Sequence, residues 1–255
     1  MISNPVSILY ALIAVPAGII CLMDGFKRWS YYNTTKNTPT SKVEAVAAGF
    51  VEVYGEAIPK GDYFKSPFSG RECTFYTYTI EEDSGGKGSW LSLKEGCSDS
   101  PFFVEDGTGK IEVDPKDAEV KVENTKTFEV RSKDETPPRI KEFLSEINIP
   151  EKTPSLILGP IRDYYDRRYT ECIIEEGEKV FVTGTAVPKE GVLSERHEDT
   201  LFIKKGDLNE FFYVSDKAEK GALEEIKKRA IISFICGFLV AVIGLAYTFI
   251  RMNIL

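Results

Sequence analysis

Residues 5–23 and 230–250 contain no charged side chain, and stretches of that kind leave a chain few environments to occupy. They are 19 and 21 residues long. At about 1.5 Å of rise per residue, an α-helix of either length reaches roughly 30 Å, the thickness of a bilayer's hydrocarbon core. Neither shows the polar face that a surface helix of a soluble protein presents to water. Both therefore read as transmembrane helices, with the intervening sequence kept beside a membrane. The first reads as an uncleaved anchor, because residues 1–4 supply no basic n-region and Cys21-Leu22-Met23 lacks a small-residue cleavage pattern. Pro16 and Gly18 in the first span, and Gly237 and Gly244 in the second, invite close packing of one span on the other. The same small residues offer a route to a homo-oligomer.

The flanks give an expected orientation. Lys27 and Arg28 follow the first span, with Trp29, Tyr31 and Tyr32 placed like an interfacial aromatic belt, and Lys227, Lys228 and Arg229 precede the second. The positive-inside rule then places the intervening domain on the cytoplasmic side of a cell membrane, as part of a two-span protein. That domain is acidic: the chain has 40 Asp+Glu against 32 Lys+Arg, a formal net charge of -8. Such a balance lacks the basic footprint of a nucleic-acid binder, so the expected partners are the lipid bilayer and a protein, with no nucleic acid.

The fold class expected for the middle is mainly β (α+β). Residues 24–40 read as a polar tether, and Ser41 as the cap of a short helical turn reaching Ala47. Apolar residues then alternate with period two through Val51, Val53 and Gly55 to Pro59, a strand. Residues 71–80 are rich in aromatic and β-branched side chains, a second strand, and the glycine-rich stretch 84–89 is a turn. Phe102-Phe103-Val104, then Glu105-Asp106-Gly107-Thr108-Gly109, then Lys110-Ile111-Glu112-Val113 give a hairpin signal. Val120, Val122, Phe128 and Val130 suggest further strand. Ile140, Phe143, Leu144 and Ile147 fall on one face of a proline-opened helix over 138–147 that packs on the sheet.

Residues 180–188 repeat residues 51–59 as V-x-V-x-G-x-A-[IV]-P. Leu201-Phe202-Ile203, a turn and Phe211-Phe212-Tyr213-Val214 echo the Phe102 hairpin. The domain over 41–216 therefore reads as one unit or as two related barrel-like halves, 41–133 and 165–216. Residues 217–229 read as a juxtamembrane helix running without a break into the second span.

No catalytic, cofactor-binding or metal-ligating residue is legible. His197 is the sole histidine and lies in the charged turn 194–199, which excludes any two-histidine metal motif. Gly107-Thr108-Gly109-Lys110 departs from a phosphate loop, with Val104 and Ile111 where glycine and Ser or Thr are needed. Glu81-Glu82-Asp83 and Glu175-Glu176 read as solvated acidic turns. Of five cysteines, Cys21 and Cys236 lie in the spans. Cys73, Cys97 and Cys172 lack zinc-knuckle or redox spacing and read as unpaired structural thiols.

Two stretches are familiar together: Pro67-Phe68-Ser69-Gly70-Arg71-Glu72-Cys73, and Arg168-Tyr169-Thr170-Glu171-Cys172 running through Gly177 to Gly184. With Phe212-Tyr213-Val214-Ser215-Asp216 leading into a basic-flanked span, they resemble the GIDE, or beside-a-membrane (BAM), domain family. That domain lies between the two spans of a mitochondrial ubiquitin ligase and its plant relatives. The resemblance implies a ubiquitin-protein transferase whose zinc-binding RING follows the second span. Here five residues follow residue 250, without a cysteine, so the chain looks like a RING-less, archaeal-type member that keeps the membrane module. The expected function is a membrane-adjacent protein-interaction module without a cofactor. A ubiquitin-ligase component and a small-molecule or lipid sensor are the alternatives.

Overall fold

The computed structural model describes residues 5–83, 89–98, 100–152, 165–189, 191, 200–206 and 211–253. His197 with its charged turn, and most of the glycine-rich turn at 84–89, lie outside them. The described chain divides into a helical unit, residues 1–39 with 219–255, and a β unit, residues 40–218.

The β unit is built around a closed ring of five strands. Strand β1 (Gly49–Pro59) pairs antiparallel with β6 (Phe102–Glu105), and β6 with β7 (Lys110–Val113). Strand β7 runs parallel to β12 (Leu201–Lys204), β12 pairs antiparallel with β11 (Lys179–Pro188), and β11 returns to β1. Counted along the chain, the ring runs first, second, third, fifth, fourth and back to first, the connectivity of a five-stranded OB barrel. Alternation along each strand sends Val51, Val53, Ala57, Phe102, Val104, Ile111, Val113, Val180, Val182, Ala186, Leu201 and Ile203 into one interior.

The repeated V-x-V-x-G-x-A-[IV]-P stretches are the two strands that close this ring. Val53 stands opposite Val182, Val51 opposite Gly184 and Gly55 opposite Val180. The candidate halves 41–133 and 165–216 therefore do not make two barrels, since each supplies strands to the same one. Both glycines sit where the ring closes tightly. A Cβ on Gly55 would lie 2.2 Å from the Glu105 carbonyl oxygen, at the bend where β1 leaves β11 and joins β6. One on Gly184 would lie 2.7 Å from Ile203 and 2.8 Å from Phe212.

The echo of the Phe102 hairpin also has a different origin. Strand β12 and β13 (Tyr213–Ser215) do not pair with each other. They follow one another along the same edge of β11, opposite residues 185–188 and then 181–183. Gly184 lies between the two pairings. Strand β13 continues to β8 (Glu119–Lys121), so Val120 is in a strand as expected.

Two long excursions leave the barrel, between β1 and β6 and between β7 and β11. The first carries β2 (Phe64–Lys65), β3 (Glu72–Cys73), β4 (Phe75–Asp83) and β5 (Trp90–Cys97). The second carries β8, β9 (Thr125–Val130), α2 (Pro138–Glu146) and β10 (Arg167–Ile174). Strands from both excursions combine into a second sheet in the order β5-β4-β10-β9. Helix α2 buries Ile140, Phe143 and Leu144 with Phe68, Tyr78, Ile80 and Tyr169, as its periodicity predicts. Strand β5 has no such signature, because its side chains from Leu91 to Glu95 are exposed.

In the helical unit, α1 (Pro5–Asn37) and α3 (Glu219–Asn253) pack antiparallel. A Cβ on Gly18 would meet Ala241 N at 2.8 Å, and one on Gly237 would meet Leu22 N at 2.8 Å, so the expected small-residue contact is present. Helix α3 is unbroken from the basic cluster into the apolar stretch, as expected. Within Glu219–Tyr247 it is long enough to cross a membrane and contains an 18-residue window with a mean hydropathy of 2.5. It is the one described helix that meets this measure of length and composition.

Residues 24–40, expected as a tether, are helical up to Asn37. Arg28 pairs with Asp24 at 2.9 Å one turn away, Lys36 Nζ stands 5.9 Å from the Tyr32 ring, and Thr38 Oγ1 donates to Thr34 O at 2.9 Å beside Pro39. These i,i+4 contacts carry the helix through a polar composition that reads locally as loop. The turn after it is a 3-10 segment, Val43–Ala45, with no side-chain cap from Ser41. The Val43 N–H goes instead to Asp106 Oδ2 at 3.1 Å.

Because the backbone of Glu105 lies where a Gly55 methyl would be, Gly55→Ala should destabilise the β unit by about 3 kcal/mol or more. Gly61→Ala, with nothing within 4 Å, should change stability by less than about 0.5 kcal/mol. Thermal unfolding of the two variants, monitored by circular dichroism, checks the contrast.

Candidate functional site

The two stretches that carry the family resemblance meet in the fold. Strands β2 and β3 pair Phe64 with Cys73 and Lys65 with Glu72, closing a tight loop over residues 66–71. Gly70 turns it with φ +70°, a conformation that L side chains rarely adopt. The Ser66 N–H donates to Arg71 O at 2.8 Å, and the Arg71 N–H to Ser66 Oγ at 3.0 Å. Glu171, on β10, points its buried carboxylate at the loop tip. There Oε2 accepts the Phe68 N–H at 2.9 Å and the Ser69 N–H at 3.1 Å.

Aromatic packing fixes the same loop. The Phe68 ring meets Tyr169, Phe143 and Tyr78 edge-on at 5.3, 5.6 and 6.2 Å. Arg71 bonds Asn124 Oδ1 at 3.0 Å and pairs with Glu175. Thus Glu171, Tyr169 and Glu175 from the second stretch hold Phe68, Ser69 and Arg71 from the first. No local sequence signal marks Glu171 as a clamp, because its partners lie about a hundred residues upstream.

The contacts at this site organise structure, and its cysteine is held as a thiol. Burial, with the fields of Glu171 and Glu175 added and that of Arg71 opposing, pushes the Cys73 thiol up to about 12. At neutral pH it stays a thiol, which is a poor nucleophile and metal ligand. Cys97 and Cys172 stand on the strands either side of Thr77, two strand spacings or about 10 Å apart, too far for a disulfide. All five cysteines are free. Among the described residues no group of three or more His, Cys, Asp or Glu side chains could hold a metal ion. The zinc implied by the resemblance therefore finds no fitting donor set there.

The acidic turns are more engaged than their expected solvated state. Glu82 is buried and accepts from Arg167 Nε at 2.9 Å, while Arg167 Nη1 donates to Pro150 O at 2.6 Å and Glu151 O at 3.0 Å. This pair fastens β4 and β10 to the segment after α2. Glu176 accepts from the Tyr63 hydroxyl at 2.6 Å. The Gly107-Thr108-Gly109-Lys110 stretch is the β6–β7 turn, with Lys110 Nζ 4.9 Å above the Phe103 ring. Burial alone would raise the Asp106 carboxyl. Hydrogen bonds from Thr108 Oγ1, Thr108 N–H and Val43 N–H, with the field of Lys42, outweigh burial and hold it below its ordinary value. At Glu112 burial is likewise outweighed by Lys60 and Lys189, at 2.6 and 2.9 Å.

A groove of about 890 Å³ is lined in part by Tyr76, Tyr78, Lys94, Cys97, Phe143 and Glu146. Its wall mixes rings with both charge signs.

Two outcomes follow from these contacts. Removing the clamp with Glu171→Ala should cost about 3 kcal/mol, since each hydrogen bond to a charged group is worth about 1.5–3 kcal/mol. Equilibrium urea unfolding of the purified chain measures it. Glu112 titrates lower folded than unfolded, so its stabilising contribution is complete above the unfolded carboxylate value and is lost as pH falls through the folded one. Thermal midpoints taken from pH 7 down to 3 should therefore fall less steeply in Glu112→Gln than in the unaltered chain.

Comparison with known proteins covers the Glu171 side of these contacts, and the stretch over residues 67–73 precedes the matched residues. A family model described as "GIDE: E3 Ubiquitin ligase" matches residues 76–248, well over half of the chain. No curated protein and no solved structure matches. The match takes in Arg168 to Cys172, the β10–β11 connection and most of α3. On the extent of that match, the chain belongs to the GIDE family.

Proposed function

We propose that this chain is a two-span membrane protein whose GIDE domain serves as a protein-interaction module beside the cytoplasmic face. The observation that carries this reading is covalent: the β unit, residues 40–218, is bracketed in sequence by two long helices with apolar surfaces. Helix α3 exposes Ile235, Phe238, Ile243 and Leu245, and α1 exposes Ile13, Ile20, Met23 and Phe26. Side chains of this kind on paired helices are stable in lipid and costly in water.

An interaction role is supported by strand β5. It forms an edge of the second sheet, pairing with β4 alone among the described residues, and exposes Leu91 and Leu93 by 61% and 39%. An edge with exposed leucines is a template for an added strand. The cytoplasmic assignment rests on Lys27, Arg28, Lys227, Lys228 and Arg229.

The family description favours a second reading, a component of ubiquitin transfer. Since the described residues offer no zinc donor set, this reading assigns the chain no catalytic step of its own. It makes the β unit the part that presents a target or a transferase.

Protease digestion of sealed vesicles tests the first reading. In inside-out vesicles the β unit should be cleaved, and in right-side-out vesicles it should be protected, with the protein remaining in the pellet after carbonate washing. Release into the supernatant would remove the membrane reading. Partner crosslinking that is unchanged by Leu91→Lys with Leu93→Lys would remove the β5 surface from it.

A further inference from the structure

The helical unit contains a groove that neither the family nor the interaction reading accounts for. Its volume is about 510 Å³, and it is lined by Tyr32 and Lys36 of α1 and by Lys220, Leu223, Glu224, Lys227, Lys228, Ile231 and Ile232 of α3. The α3 residues recur three or four positions apart, so they occupy one side of the helix. Along that side the lining changes character. Lysines occupy the end near Lys220, and Ile231 and Ile232 lie where the uncharged stretch begins.

Four ammonium groups face one carboxylate in this groove. Glu225 pairs with Arg229 at 3.0 Å, whereas Glu224 is not within ion-pair distance of any of the four lysines. Lys36 Nζ and Lys227 Nζ, from different helices, each stand 5.9 Å from the centre of the Tyr32 ring. The ring gathers two like charges that repel one another, and an anion placed among them would relieve that repulsion. The neighbouring isoleucines would accept hydrocarbon.

We propose that this groove binds one anionic glycerophospholipid. Its phosphate would lie among Lys36, Lys220, Lys227 and Lys228, and the start of its acyl chains against Leu223, Ile231 and Ile232. The amphipathic lining selects this occupant over a free phosphate, which would leave the apolar floor unused, and over an acidic peptide, which would place polar backbone against the isoleucines. Basic grooves between membrane helices are suited to anionic headgroups because each lysine near such a surface contributes attraction that is screened within a Debye length. The proposal rests on the membrane reading for its supply of lipid. Its test is made in micelles, so it does not depend on sidedness or on a protein partner.

The full chain, purified in a neutral detergent, is mixed with phosphatidylglycerol or with phosphatidylcholine of the same acyl chains, and bound lipid is counted by native mass spectrometry. Retention of phosphatidylglycerol over phosphatidylcholine is expected. Lys36→Gln with Lys227→Gln should weaken that retention by about 30-fold, from about 1 kcal/mol per lysine. Lys36→Arg with Lys227→Arg should restore it, and Lys126→Gln with Lys133→Gln, exposed on the β unit, should leave it intact. Soluble glycerol phosphate at equal concentration should not displace the lipid. Equal retention of both lipids would overturn the proposal. So would a loss as large in Lys126→Gln with Lys133→Gln, which would indicate net charge alone. Displacement by glycerol phosphate would show a free-phosphate site instead.

Discussion

The antiparallel pairing of β1 with β11 is the constraint on which the β unit depends. It joins residues 49–56 to residues 179–186 and closes the five-stranded ring. Until those strands meet, the hairpin β6–β7 and strand β12 have no closed interior in which to bury Phe102, Ile111 and Ile203. The pairing also sets the end of β1, where the first excursion begins, beside the start of β11, where the second one ends, so that β4 and β10 can lie side by side and form the second sheet. Loop closure over such separations costs entropy that local contacts do not repay, and burial of the common interior must offset it.

The two stretches that carry the sequence resemblance take their meaning from this arrangement. The Phe68 loop belongs to one excursion and Glu171 to the other, and the clamp forms once the second sheet has brought them together. A buried carboxylate that accepts two backbone N–H groups holds the loop in one geometry. The aromatic cluster around Phe68 then links that loop to α2. Arg71, Asn124 and Glu175 extend the same junction toward the β10–β11 turn, beside the barrel. What these contacts secure is the attachment of the β2–β3 loop to the second sheet and to α2, with Cys73 buried at its base as a neutral thiol.

Much of this was legible in the sequence wherever the signal was local. The hairpin at 102–113, the helix at 138–147, the strand ending at Pro59 and the unbroken helix entering residues 230–250 all follow from periodicity and turn chemistry. The V-x-V-x-G-x-A-[IV]-P repeat was visible too, but it left one unit and two barrel-like halves as alternatives, because similarity along a chain does not reveal which strands are neighbours. Residues 24–40 read as a tether, although i,i+4 contacts and the packing of α1 on α3 make most of them helical. Strand β5 escaped notice because exposed side chains on an edge strand carry no alternation. Glu82 and Glu175 read as solvated acids, and nothing local marked Glu171, since what a carboxylate engages depends on partners far away in sequence.

Hydrogen exchange on the intact protein tests the single closed barrel most directly. Followed by mass spectrometry in mild denaturant, amides of β1, β6, β7, β11 and β12 should lose protection together in one cooperative step. If β1, β6 and β7 exchange in one transition while β11 and β12 exchange in another, the two halves fold separately, and closure through the β1–β11 pair is contradicted.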